Sequence, residues 1–162
     1  MIKELILNYI TKKNIPLTNK PFAYKDANKV ALIYNTDQAA NQGLKDFILQ
    51  LKKDDKQITQ IPVSDAGSKN QRDGIFTLKN ISFTGKFKVE ELKNIVNEKY
   101  DVIIELENEV SLIGRYLLKT IRGGLTVGII NKRRLPYIDL QLKPRLESSK
   151  YHELIDYLRQ IR

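Results

Sequence analysis

An open α/β sandwich is the fold this sequence predicts: one mostly parallel sheet of about five strands, with helices on both faces. Three observations predict it. Short apolar runs of strand length alternate with longer stretches whose apolar residues recur at helical spacing. Apolar residues make up 41% of the chain, enough for one core and too many for a disordered polymer. The length, 162 residues, suits one ordinary domain and is too short for two with separate tasks.

The elements follow in order. Residues 2–13 read as a short helix, with Ile2, Leu5, Ile6, Tyr9 and Ile10 on one face. Residues 14–28 hold Pro16 and Pro21, show no period and read as a tether. Residues 1–28 are thus a helix and tether ahead of a single α/β domain at 29–162. Lys29 to Tyr34 is a buried strand. Asn35 or Thr36 caps the next helix, with Gln38 three residues after Asn35. That helix runs to Lys53 with Leu44, Phe47, Ile48 and Leu51 inward. Residues 57–63 alternate, and Pro62 marks a sheet edge or a strand end. Residues 64–74 are a polar loop, and Ile75 to Leu78 add a short strand. Residues 79–87 form an ordered loop around Phe83, Gly85 and Phe87. Val89 to Lys99 make a helix with Leu92, Ile95 and Val96 inward.

Tyr100 to Leu106 is the clearest strand in the chain. Glu109 to Thr120 form a helix with Leu112, Ile113, Tyr116 and Leu117 inward, stopped by Gly123-Gly124. Leu125 to Ile130 are a strand, Lys132-Arg133-Arg134 a turn, and Tyr137 to Leu142 a last short strand. Ser148 or Ser149 caps a closing helix at 150–161, with Leu154, Ile155, Leu158 and Ile161 on one side.

Composition removes several function classes. Cysteine is absent, so there is no disulfide, thiolate metal site or cysteine nucleophile. A single histidine excludes a histidine metal cluster. No run of apolar residues is long enough to span a bilayer. The first ten residues carry Glu4 and lack a small-residue cleavage site, which reads against a signal peptide and for a cytoplasmic setting.

Few motifs carry chemistry. The first strand-to-helix turn, Tyr34 to Gly43, lacks the early glycines that let a backbone approach a pyrophosphate. Thr84-Gly85-Lys86 resembles the end of a phosphate loop, yet Asn80 and Phe87 stand where that loop needs Gly and Ser or Thr. An ordered turn with Gly85 at positive φ explains it better. Asp101, Glu105, Glu107 and Glu109 cluster along one strand and the loop beyond it. Ligands of open α/β sheets bind beyond the carboxyl ends of strands, where carboxylates serve as acid, base or Mg²⁺ ligands. The plainer reading puts Glu107 and Glu109 at a helix N-terminus, where the dipole favours negative charge, and makes Asp101 a turn residue. His152 has no nucleophile partner and reads as a surface residue. No residue is assigned as catalytic, cofactor-binding or metal-binding, and no cofactor is expected.

Charge is unevenly spread. The formal net charge is +9, with +4 over residues 1–29, −3 over 82–110 and +7 over 111–162. Such a balance bears on partners rather than on fold. Arg115, Lys119 and Arg122 follow spacings of four and three, so they share a helix face; Lys132, Arg133 and Arg134 fall in the turn beyond. Together they form a candidate anion-binding patch, with Tyr116 and Tyr137 as stacking surface. A solvated face that complements the helix dipole is the equal alternative.

Phe83-Thr-Gly-Lys86, Tyr100-Asp-Val-Ile-Ile104, Leu118-Lys-Thr-Ile-Arg-Gly-Gly-Leu-Thr-Val-Gly-Ile129, Leu135 and Ile138-Asp-Leu140 resemble a family of small Rossmann-like proteins of unknown function found in Bacteroidota. The resemblance covers most of the chain and implies the fold alone. The strand at 100–104 and the Val127-Gly-Ile129 strand also resemble the N-terminal half of heptosyltransferase-like glycosyltransferases. Those hold their donor mainly on a second domain, for which this chain has no room. Neither resemblance brings a catalytic residue to a position here.

The expected function is therefore non-catalytic binding of an anionic partner, RNA or a ribonucleoprotein, through Arg115, Lys119, Arg122, Lys132, Arg133 and Arg134. Two alternatives stand beside it. One is a small-ligand binder or enzyme that uses the carboxylates near Glu105. The other is a peripheral membrane protein held by the N-terminal helix on an anionic surface.

Overall fold

Val30, Ala31, Leu32 and Ile33 are completely buried, as in a strand covered on both faces. They form the middle of β1 (Lys29–Asn35), one of five strands in a computed structural model that describes residues 23–36, 41–65, 74–107, 109–129 and 138–162. The chain continues through α1 (Asn41–Lys53), β2 (Gln57–Val63), α2 (Glu90–Asn97), β3 (Lys99–Glu105), α3 (Leu112–Thr120), β4 (Arg122–Ile129), β5 (Leu140–Leu142) and α4 (Lys150–Gln160). The sheet order is β2-β1-β3-β4-β5, and every neighbouring pair is parallel. The expected open, doubly wound sandwich is what forms.

Alternation along the strands sorts the core into two layers. Ala31, Ile33 and Ile103 face one way, onto Leu92, Ile95 and Val96 of α2 and Ile113, Tyr116 and Leu117 of α3. Val30, Leu32, Val102, Ile104 and Val127 face the other, onto Leu44, Phe47 and Leu51 of α1 and Leu154, Ile155 and Leu158 of α4. Among the described strands β2 has β1 as its one neighbour, so the edge position inferred from Pro62 holds. Without an N–H, Pro62 still accepts from the Phe76 N–H at 2.9 Å.

Four local expectations are corrected. Asn35 is the last residue of β1 rather than a helix cap. Ile75 to Leu78 form no strand: Phe76 makes a single bridge to Val63, and Leu78–Asn80 is a 3-10 turn. Asn80 Oδ1 accepts the Thr77 N–H at 2.7 Å, and this local bond draws the chain out of the extended state. α3 ends at Thr120 with an extended Ile121, so Gly123-Gly124 does not stop it. Both glycines lie in β4 because a Cβ at Gly123 would stand 2.6 Å from Ile103 Cδ1, and one at Gly124 2.9 Å from the Asp101 carbonyl. Asp101 lies within β3, not in a turn. The helix expected at 2–13, most of the tether and the turn at 132–134 lie outside the described residues. The tether's last residues, 23–28, are described: Tyr24 is buried, and its N–H donates to the Ile161 carbonyl at 3.2 Å.

Candidate functional site

From β1 the chain first steps outward to β2 and then returns to place β3 on the other side. Such a reversal leaves a crevice beyond the carboxyl ends of the two central strands, the usual ligand position in doubly wound sheets. Asn35 ends β1, Glu105 ends β3, and Glu107 follows two residues later. Glu105 and Glu107 are both 1% exposed, which is rare for carboxyls with no cationic partner among the described residues.

Among the described residues, three donors hold Glu107. Asn35 Nδ2 donates to Oε2 at 3.0 Å, the Ser111 N–H to Oε2 at 3.2 Å, and the Ser111 hydroxyl to Oε1 at 2.9 Å. Ser111 is also the N-cap of α3, its Oγ accepting the Gly114 N–H at 3.0 Å. Gly114 leaves room for the carboxylate: a Cβ there would stand 1.9 Å from Glu107 Oε1. Glu105 is held less fully. Its Oε1 accepts the Glu107 N–H at 2.7 Å, while its Oε2 is buried with no hydrogen-bond partner. In register it faces Gly128, over which Ile138 packs.

This environment sets the protonation order. Burial pushes the Glu107 carboxyl up to about 7, against the pull of its Ser111 and Asn35 donors; the Asp65 charge adds to the rise. Burial, and then the charge of Glu107, hold Glu105 well above the ordinary carboxyl range. Glu107 keeps three bonds that favour its ionised form, so the shared proton belongs on Glu105. A neutral carboxyl beside a carboxylate can donate a hydrogen bond, pass a proton or accept a cation as its proton leaves. No cluster of three or more His, Asp or Glu side chains suited to a metal occurs among the described residues. A metal ion would therefore keep much of its water shell.

Other residues singled out from the sequence lie elsewhere. Asp101, at the opposite end of β3, accepts the Asn28 and Lys29 N–H groups at 2.8 and 2.9 Å and so anchors the start of β1. Glu109 is exposed beside the start of α3. His152 is exposed and lies 3.3 Å from Asp156 on the same helix. Gly85 has φ +80, the turn expected for Thr84-Gly85-Lys86.

The basic residues divide. Arg115 is half-buried in the first turns of α3, with Nε donating to the Val110 carbonyl at 3.1 Å. Lys119 is half-buried in the last turn. Arg122 is exposed as the first residue of β4, opposite Lys99, so it is not on the helix face. Because α3 runs back against the strands, Arg115 lies toward the carboxyl edge of the sheet and Arg122 at the amino edge. Lys132, Arg133, Arg134 and Tyr137 lie outside the described residues.

Sequence reasoning found the two glutamates and missed Asn35 and Ser111. The one local signal for Ser111 is its position just before the apolar Leu112-Ile113 pair, as an N-cap stands. Nothing local marks Asn35 as the partner of a residue 72 positions away. No curated protein and no solved structure matches the chain. A family model does match, over residues 3–161, and by that match the chain belongs to a family of unknown function, DUF6913.

Proposed function

We propose that this protein binds a small ligand in the crevice beyond β1 and β3, with Glu105 as the group that takes it and Glu107 as its fixed neighbour. The observation that carries this reading is the buried, unpartnered Oε2 of Glu105 at the point where the sheet order reverses. A buried polar atom without a partner is costly to stability, and function is a common reason for one to persist. The resemblance to heptosyltransferase-like N-terminal halves concerns strands and helices and adds no residue to the site.

The test is a thermal-shift screen of nucleotides, sugars, amines and divalent ions against the native chain and Glu105→Gln. A bound ligand raises Tm by mass action. The expected result is a compound that raises the native Tm and leaves Glu105→Gln unmoved. A flat screen, or hits that act equally on both proteins, would count against the site.

A second reading, an anionic partner such as RNA, draws on the +7 charge of residues 111–162. Replacing Lys132, Arg133 and Arg134 by Ala should then weaken RNA binding and flatten its salt dependence. An unchanged salt slope removes these three residues from any such contact.

A further inference from the structure

We infer that the ligand of this crevice presents positive charge to Glu105: it is a small cation, either a protonated amine or a hydrated divalent ion. The inference rests on the proposed site and names the chemical class it selects. Three observations lead to it. First, the N-terminus of α3 is the place where an anionic ligand would gain most from the helix dipole. It is already filled, because Glu107 takes the Ser111 N–H and hydroxyl there. A phosphate would have to displace a carboxylate bound from two elements, β1 and α3. Second, among the described residues every donor to Glu105 and Glu107 is a neutral group: a backbone N–H, an amide or a hydroxyl. Asp65, at the end of β2, adds negative charge to the same edge. Third, Glu105 Oε2 is the one atom of the pair left without a partner. A cation meets all three conditions.

Binding exchanges the Glu105 proton for the cation: an ammonium leaves the charge of the site unchanged, and a divalent ion raises it by one. The Glu105 carboxyl gives its proton to solvent, and its carboxylate oxygen takes the ammonium hydrogen or the metal ion in its place. No bond to carbon changes and no electron is transferred. Among the described residues, the charged groups at this edge include Asp65 after β2, Glu107 and Glu109 before α3, and Arg115, whose Nε donates to the Val110 carbonyl. Affinity should therefore rise with pH, by up to about tenfold per pH unit for one displaced proton.

Isothermal titration of the full chain tests this, with MgCl₂, MnCl₂, putrescine and spermidine as cations and inorganic phosphate and AMP as anions. Glu105→Gln, of the same size, is the control, with circular dichroism to confirm its fold. The expected result is binding of one cation class, tightening with pH, lost in Glu105→Gln, with no binding of either anion. Reversal by EDTA separates a metal ion from an amine. Glu105-dependent binding of phosphate, AMP or a neutral compound would overturn the inference and leave the ligand site standing. Identical behaviour of native protein and Glu105→Gln toward every compound would remove both.

Discussion

Ser111 Oγ donates to Glu107 Oε1 at 2.9 Å and itself accepts the Gly114 N–H at 3.0 Å. One side chain thus caps α3 and passes the positive end of that helix on to a buried carboxylate. The cap and the acidic pair are therefore parts of one arrangement, and a change in either should be felt in the other.

Ser111→Ala removes the cap and a donor to a buried anion together. The loss should be on the order of 2 kcal/mol, above that of an ordinary cap. Urea unfolding at neutral pH measures it. The Glu107 carboxyl should also titrate higher in the variant, which NMR of the carboxyl carbon reads. A loss within experimental error of zero would mean that the hydroxyl serves neither role.

Gly114→Ala should destabilise, against the usual helix preference for Ala of about 1 kcal/mol. The new Cβ would stand 1.9 Å from Glu107 Oε1, so the carboxylate must leave its three donors. A loss of about 1–3 kcal/mol is expected, as for other overpacked sites. Adding Glu107→Ala should recover part of it. A stabilised Gly114→Ala would show that Glu107 does not lie against the helix.

Glu105→Gln should change how stability depends on pH. Both glutamates have raised pKa values, so the folded chain binds protons more tightly than the unfolded one. Their penalty is absent below the ordinary value of 4.5, grows as pH rises and is complete for Glu107 above about 7. Asp54 and Asp101 are lowered by their Arg159 and backbone partners and act oppositely, losing stability as the medium turns acidic. Denaturant unfolding across pH should show the native chain weakening between 4.5 and about 7, with a smaller slope in Glu105→Gln. Equal slopes would contradict the buried pair.

Lys56→Met tests the attachment of residues 24–27 to the domain. Lys56 Nζ donates to the Tyr24 carbonyl at 2.9 Å and the Ala27 carbonyl at 2.5 Å, and lies 4.5 Å from the centre of the Tyr24 ring. Met keeps the apolar stem and leaves both carbonyls without this donor, which should reduce stability by about 1–3 kcal/mol. Hydrogen exchange should rise at the Tyr24 and Ala27 amides first. Unchanged exchange there would show that other contacts hold the segment.

The alternation of strands and helices was legible in the residues themselves, because periods of 2 and 3.6 are local properties. Tyr100 to Leu106 announced β3, and Leu92, Ile95 and Val96 announced the inner face of α2. The two glutamates were legible as carboxyls at a strand end. Boundaries set by contact with other strands were not: Gly123-Gly124 reads as a helix stop until Ile103 and the Asp101 carbonyl are seen against it. Only the tertiary structure decided that β1 and β3 are neighbours, and so that Asn35 and Glu107 share a hydrogen bond. It also decided that Glu105 Oε2 is left without a partner. The physical reason is the parallel crossover: it joins residues remote in sequence through sheet order, and no spacing along the chain encodes that order.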